Sequence, residues 1–235
     1  MKILGIDTST KICSLGLVEE NNILAEYNLS SYYQRTSSIL VSTIKDMLEG
    51  VDLKLSDLDG IAVSIGPGSF TGLRIGLGVA KGLSYASSIP LLAIPTLDAL
   101  AFSLKGIPFL VCPILESKRD EVYSAAFREV DALDLDKVVD YNCGNIDSLL
   151  SELSSLNEKI VFIGEGIIKY RKIIEERLGR KALFVGPHLA LPRGVNVAFL
   201  GLEKLRRGEV ENIYTLPLLY LRKSEAEIIW EKKSK

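Results

Sequence analysis

Ser64-Ile-Gly-Pro-Gly-Ser-Phe-Thr-Gly-Leu-Arg-Ile-Gly76 joins a short apolar run, Gly60 to Ser64, to a segment of helical length, Leu73 to Ala86. An apolar run of that size, bounded by turn residues, predicts a buried strand. Gly66-Pro67-Gly68 can turn sharply, because glycine tolerates positive φ and proline fixes its own. Ser69 or Thr71 can then cap the helix, and Gly72 keeps the backbone accessible. Free N–H groups at a helix N-terminus form a natural anion site. Strand, glycine-rich turn and helix together predict either a phosphate loop or a loop that needs close backbone contact. Gly66, Gly68, Ser69 and Thr71 are its candidate binding residues.

Upstream, Lys2 to Asp7, Cys13 to Val18 and Ile23 to Leu29 read as strands separated by polar turns. Thr36 to Glu49 reads as a helix with Leu40, Ile44, Met47 and Leu48 on one face, Thr36 or Ser37 as cap and Gly50 as stop. After the glycine loop come a strand at Leu91 to Ile94 and a helix from Thr96 to Leu104. Lys105-Gly-Ile-Pro108 is a joint, and the order then recurs. Strands are expected at 109–115, 121–130 and 137–142, a helix at 145–156, a strand at 159–163, a helix at 167–178, and a strand at 182–185. A helix at 195–207 closes the series.

Each half thus reads strand-strand-strand-helix-strand-helix. Strands joined by short turns pair antiparallel, whereas a strand-helix-strand unit needs a parallel crossover. The expected fold is α/β: two ribonuclease-H-like domains of the actin-like superfamily, each a mixed sheet flanked by helices. The boundaries are 1–104 and 105–235, with the last helix free to pack back on the first domain.

A 235-residue chain with 47% hydrophobic and 25% charged residues is an ordinary globular protein. A net charge of -2 argues against a free-standing nucleic-acid binder, so any such role needs a basic partner. Asp7 interrupts the N-terminal apolar run before a signal peptide forms, and no stretch is long enough to span a membrane. Cys13, Cys112 and Cys143 lack metal or redox spacing, which fits a reducing cytoplasm. His188 is the only histidine, which removes paired-histidine metal sites and leaves little room for a Ser-His-Asp triad. No catalytic set and no metal site are predicted.

Asp7, Thr8 and Ser9 stand at the end of the first strand. Such a turn either holds phosphate while its acid organises hydrated Mg²⁺, or closes itself by side-chain-to-backbone hydrogen bonds. With the glycine loop, these residues make ATP or ADP with Mg²⁺ the candidate cofactor. The following helix carries Gly72, Gly76, Gly78 and Gly82, with Ala80 and Ser84. Interior glycine costs about 0.8–1 kcal/mol relative to alanine, so three cost roughly 2–3 kcal/mol that close approach of a neighbour must offset. Arg74 and Lys81 argue against a wholly internal face, and a protein interface is expected. The charged hairpin Glu116–Tyr123, the Gly164-Glu-Gly166 turn, Arg206-Arg207 and Lys232-Lys233 read more simply as solvated or structural elements.

Ile6-Asp-Thr-Ser9, Gly66-Pro-Gly-Ser-Phe-Thr-Gly-Leu-Arg-Ile-Gly76, Arg119-Asp-Glu-Val-Tyr123 and Tyr220-Leu-Arg222 resemble, in order and spacing, the bacterial TsaB (YeaZ) family. The resemblance covers essentially the whole chain. It implies an actin-like fold and a part in making N6-threonylcarbamoyladenosine next to the anticodon of tRNAs that read codons beginning with A. It further implies pairing with a paralogous catalytic TsaD-like subunit and, with a TsaE-like ATPase, support of threonylcarbamoyl transfer from its adenylate. The family's catalytic paralogue binds metal through paired histidines; here the corresponding helix begins Gln34-Arg-Thr-Ser37, with Arg35 where many TsaB members keep one histidine. The resemblance therefore implies a non-catalytic subunit.

Pairing in the family implies an interface on the two N-terminal helices: Leu40, Ile44, Leu73, Arg74, Gly76, Leu77, Ala80, Lys81 and Ser84. A homodimer that gives way to a heterodimer is expected, because one surface cannot serve two partners, with tRNA met only through the complex. A large residue at Gly76 or Ala80 is expected to abolish pairing and leave the monomer folded. Two further classes stand beside this one: an actin-like ATPase or small-molecule kinase using Asp7 and the glycine loop, and a glycoprotease-like peptidase, which the absence of His-Glu-x-x-His disfavours.

Overall fold

A computed structural model describes residues 1–30, 36–118, 120–129 and 135–222. Arg35, Arg119, the tail with Lys232-Lys233, and the side chains of Thr36 and Ser37, expected to cap a helix, lie outside that description. The first half runs β1 (Lys2–Asp7), β2 (Ile12–Glu19), β3 (Asn22–Ser30), α1 (Thr36–Glu49), β4 (Gly60–Gly66), α2 (Phe70–Ser87), β5 (Leu91–Pro95) and α3 (Thr96–Phe102). The second repeats the order: β6 (Leu110–Glu116), β7 (Glu121–Glu129), β8 (Leu135–Asn145), α4 (Ile146–Ser155), β9 (Ile160–Ile163), α5 (Gly166–Leu178), β10 (Ala182–Phe184) and α6 (Gly194–Arg206).

Both sheets have five strands, ordered β3-β2-β1-β4-β5 and β10-β9-β6-β7-β8. The hairpin-linked strands pair antiparallel, and β1, β4 and β5, like β6, β9 and β10, pair parallel across helical crossovers. Read from the hairpin edge, the two orders coincide. This is the doubled ribonuclease-H-like, actin-like architecture.

Each sheet carries two of its own helices on one face: α1 and α2 on the first, α4 and α5 on the second. Its other face is closed by a helix from across the molecule. Leu97, Leu100 and Ala101 of α3 join Val111, Leu115, Ala125, Phe127 and Ile163 of the second sheet. Val195, Val197, Ala198 and Leu202 of α6 pack on Ile3, Val18, Ala62, Leu92 and Ile94 of the first. The last helix does return to the first sheet. Gly16 and Gly194 allow that return, since a Cβ on either would overlap backbone of the other segment. At the seam, Tyr141 donates its hydroxyl to Asp98 at 2.6 Å, and burial pushes the Asp98 carboxyl up to about 6.

Helix α2 starts at Phe70, three residues earlier than expected, because Ser69 is its N-cap: the Ser69 hydroxyl accepts the Gly72 N–H at 3.2 Å. Beyond α6 the chain turns back along the first half, and Leu216 is buried in that half's core.

Candidate functional site

The glycine loop and the β1–β2 turn fit into each other. Ser69 N–H donates to the Ser9 carbonyl at 2.7 Å, and Thr8 Oγ1 donates to the Gly72 carbonyl at 2.8 Å. A Cβ at Gly68 or Gly72 would overlap the carbonyls of Ser9 and Thr8, and one at Gly76 would overlap Thr8 Oγ1. The close backbone contact expected of this loop is therefore made by the chain itself, and three of its glycines are explained by one turn.

Asp7 lies beneath this joint and is fully buried. One carboxylate oxygen accepts the Ser9 N–H at 3.0 Å and the Ser9 hydroxyl at 2.7 Å; the other accepts the Ser64 hydroxyl. Burial pushes its pKa up, opposed by the Ser64 and Ser9 hydrogen bonds. A hydrated Mg²⁺ needs oxygen ligands open to water. The sealed, doubly satisfied Asp7 does not fit that task, and among the described residues no group of three acidic, His or Cys side chains could hold a metal. The N–H groups of Ser69, Gly72 and Leu73 are likewise taken, by Ser9, the Ser69 hydroxyl and the Ser69 carbonyl. Here the turn-closing alternative describes Asp7, Thr8 and Ser9.

Between the halves lies a cleft of about 800 Å³. Ser9, Gly68, Ser69 and Thr71 of the candidate phosphate set line it, whereas Asp7, Thr8 and Gly66 do not. Its walls also hold Lys11, Lys118, Glu116, Glu165 and the segment Leu219–Arg222. Burial, then the neighbouring Glu116, raises the Glu165 pKa, and Lys11 opposes the rise. Tyr220-Leu-Arg222 forms part of the cleft wall, a position that no local pattern in the sequence signals.

Most residues of the expected interface do not lie on the outer surface of α2. Leu40, Ile44, Leu73, Gly76, Leu77, Ala80 and Ser84 are all buried within this chain. They form the apolar stripe by which amphipathic helices face their own core. A large residue at Gly76 or Ala80 therefore strikes the fold before it strikes any partner. Of the expected set, Arg74 is exposed and Lys81 half-buried, its Nζ donating to the Leu216 carbonyl at 2.9 Å. Gly78 and Gly82 are the glycines left over: both are exposed, and a Cβ on either meets no atom of the described residues within 4 Å. With Thr71, Arg74 and Tyr85 they make the exposed side of α2, and Val41 stands exposed on neighbouring α1.

No activated nucleophile is assembled among the described residues. Burial pushes the Cys13 thiol up to about 11 and drives Cys112 higher still; Cys143 is raised for the same first reason. His188 is exposed on a short 3₁₀ turn. Among the described residues no helix is long and apolar enough to cross a membrane.

Two mixed sheets of one order, with a cleft between the halves that carry them, define an actin-like protein, and the ROK hexokinase of Thermus thermophilus shares this fold. Their TM-score is 0.55 at 11% identity, over 88% of this chain and 100% of that one. Within that class, the family described as TsaD, tRNA N6-adenosine threonylcarbamoyltransferase, matches residues 30–230. The tRNA threonylcarbamoyladenosine biosynthesis protein TsaB of Bacillus subtilis (strain 168) is 32% identical over 236 residues, spanning all of both chains. YeaZ from Pseudomonas aeruginosa superposes with a TM-score of 0.76 at 25% identity, over 94% of this chain and 99% of that one. The chain belongs to the TsaB (YeaZ) family.

Proposed function

We propose that this chain is a non-catalytic subunit that works in the cytoplasm with a TsaD-like catalytic subunit and a TsaE-like ATPase. Together they transfer threonylcarbamoyl from threonylcarbamoyl-AMP to N6 of the adenosine next to the anticodon in tRNAs reading codons that begin with A. The observation that carries this is the end-to-end relationship to a TsaB protein. The sealed Asp7 and the unactivated thiols support a role without chemistry of its own. A net charge of -2 supports contact with tRNA through the complex rather than alone.

The partner face is the outer side of α2, where Gly78 and Gly82 let a second backbone come close, with Arg74, Tyr85 and Val41 around them. Closely approaching helices use small residues at four-residue spacing in this way. In the absence of the catalytic subunit the same face pairs two copies of this chain. An omission assay tests the assignment: threonylcarbamoylation of tRNA is measured with all components, then without this chain. Activity that disappears on omission and returns on addition supports it, and full activity without the chain contradicts it.

A second reading, an ATPase or small-molecule kinase, draws on the cleft and its lysines Lys11 and Lys118. Calorimetry with Mg·ATP on the isolated chain separates the two: tight binding with turnover favours the enzyme.

A further inference from the structure

The chain that follows α6 is fastened at both ends. Glu211 donates its N–H to the Leu91 carbonyl at 2.9 Å and bridges the free edge of β5. Leu216 enters the first core under the Lys81 contact. Leu219 donates its N–H to the Ile65 carbonyl at 2.8 Å, beside the glycine loop. Tyr220 stacks on Phe70 with ring centroids 5.0 Å apart, and its hydroxyl accepts the Arg74 Nε–H at 3.1 Å. The Arg74 guanidinium lies 3.8 Å over the same Phe70 ring. Two residues on, Arg222 crosses to the second half and pairs with Glu121, at the start of β7, at 3.4 Å.

We propose that residues 211–222 are a clasp that makes the N-terminal turns of α2 depend on the second half of the molecule. Arg222 and Glu121 set where the clasp ends, and Tyr220 passes that position to Phe70 and Arg74. The Arg222 side chain is only 13% exposed, so its pair with Glu121 is screened far less than an open surface pair. Tyr220 is 45% exposed and is held by its stack on Phe70 and by Arg74, so a shift at Arg222 is passed to α2 through these two contacts. Arg74 and the cleft wall Leu219–Arg222 share this contact. A partner on the outer face of α2 and an occupant of the cleft therefore act on one element, and coupling of that kind is reciprocal. That last consequence rests on the partner face proposed above; the clasp itself does not.

Hydrogen exchange on the full chain tests the clasp. Arg222→Glu puts like charges together and is expected to raise exchange in residues 66–74 as well as 212–222 by on the order of tenfold, equivalent to about 1.4 kcal/mol. Arg222→Lys is expected to keep most of the protection, and the charge swap Arg222→Glu with Glu121→Arg to restore it. Faster exchange confined to 212–222, or a swap that restores nothing, overturns the clasp. Affinity for the TsaD-like subunit separates the two claims, with Gly78→Trp as the direct block of the face. Pairing abolished by Gly78→Trp but untouched by Arg222→Glu overturns the coupling and leaves the face standing. If Arg222→Glu speeds exchange at 66–74 while neither variant alters pairing, the face falls and the clasp stands.

Discussion

The inner and outer sides of α2 use the same residue for opposite purposes. Gly72 and Gly76 face the β1–β2 turn, where any side chain would collide with Thr8. Gly78 and Gly82, one turn apart on the outside, face open space. Inside, glycine is required by the fold of a single chain. Outside, nothing among the described residues requires it, and its helix cost of about 0.8–1 kcal/mol per position stands without a return from them. A glycine that destabilises its own helix and touches no other described residue is the kind of position a partner's backbone explains.

That contrast can be broken most violently at Gly76. Gly76→Leu is expected to lower stability by about 2–4 kcal/mol, because the side chain enters a filled joint rather than a cavity; Gly78→Leu should leave unfolding unchanged or move it upward. Equal losses at the two positions in denaturant unfolding would erase the distinction. On the outer side, Gly78→Ala with Gly82→Ala should raise monomer stability by about 1.6–2 kcal/mol through helix propensity alone. A drop in the monomer's midpoint would mean that these glycines do have an internal contact. A double-mutant cycle sharpens the inner side further: Thr8→Ala costs about 1 kcal/mol for its hydrogen bond to Gly72. It should also make Gly76→Ala markedly milder, since Oγ1 is the atom in the way.

A smaller effect concerns pH. The buried Asp7 has its pKa raised above the usual carboxylate value, so the folded chain takes up a proton there before the unfolded chain does. Its ionised form costs stability at neutral pH, and that cost disappears as pH falls through the raised value. Unfolding of the wild type and Asp7→Asn from pH 7 down to 4 should shift the difference toward the wild type. A difference that does not change with pH would contradict the sealed carboxylate.

Much of this was legible in the sequence. Helix α1 was read with its observed bounds, and the repeated strand-helix order predicted both sheets, because apolar runs and turn residues are local signals. The glycine cost on α2 was also local, and it pointed to close approach. Its direction was not legible: a glycine looks the same whether Thr8 or a second protein lies against it. Of the expected interface, Leu40, Ile44, Leu73, Gly76, Leu77, Ala80 and Ser84 lie on the side that amphipathicity assigns to the core, and only Arg74 and Lys81 lie outside it. The sequence leaves Asp7 open between organising Mg²⁺ and closing a turn, because its satisfaction by Ser64, 57 residues away, is a tertiary fact. The clasp at 211–222 has no periodic signal at all; it exists through contacts to β5, α2, β4 and β7.

The central claim is that the outer face of α2 is where this protein acts. Its most direct test is the affinity of Gly78→Trp for the TsaD-like subunit, measured beside the unfolding midpoint of the same variant. The account predicts an unchanged midpoint and pairing weakened by on the order of a hundredfold or more, about 2.8 kcal/mol. Pairing at wild-type affinity by a folded Gly78→Trp chain would contradict it.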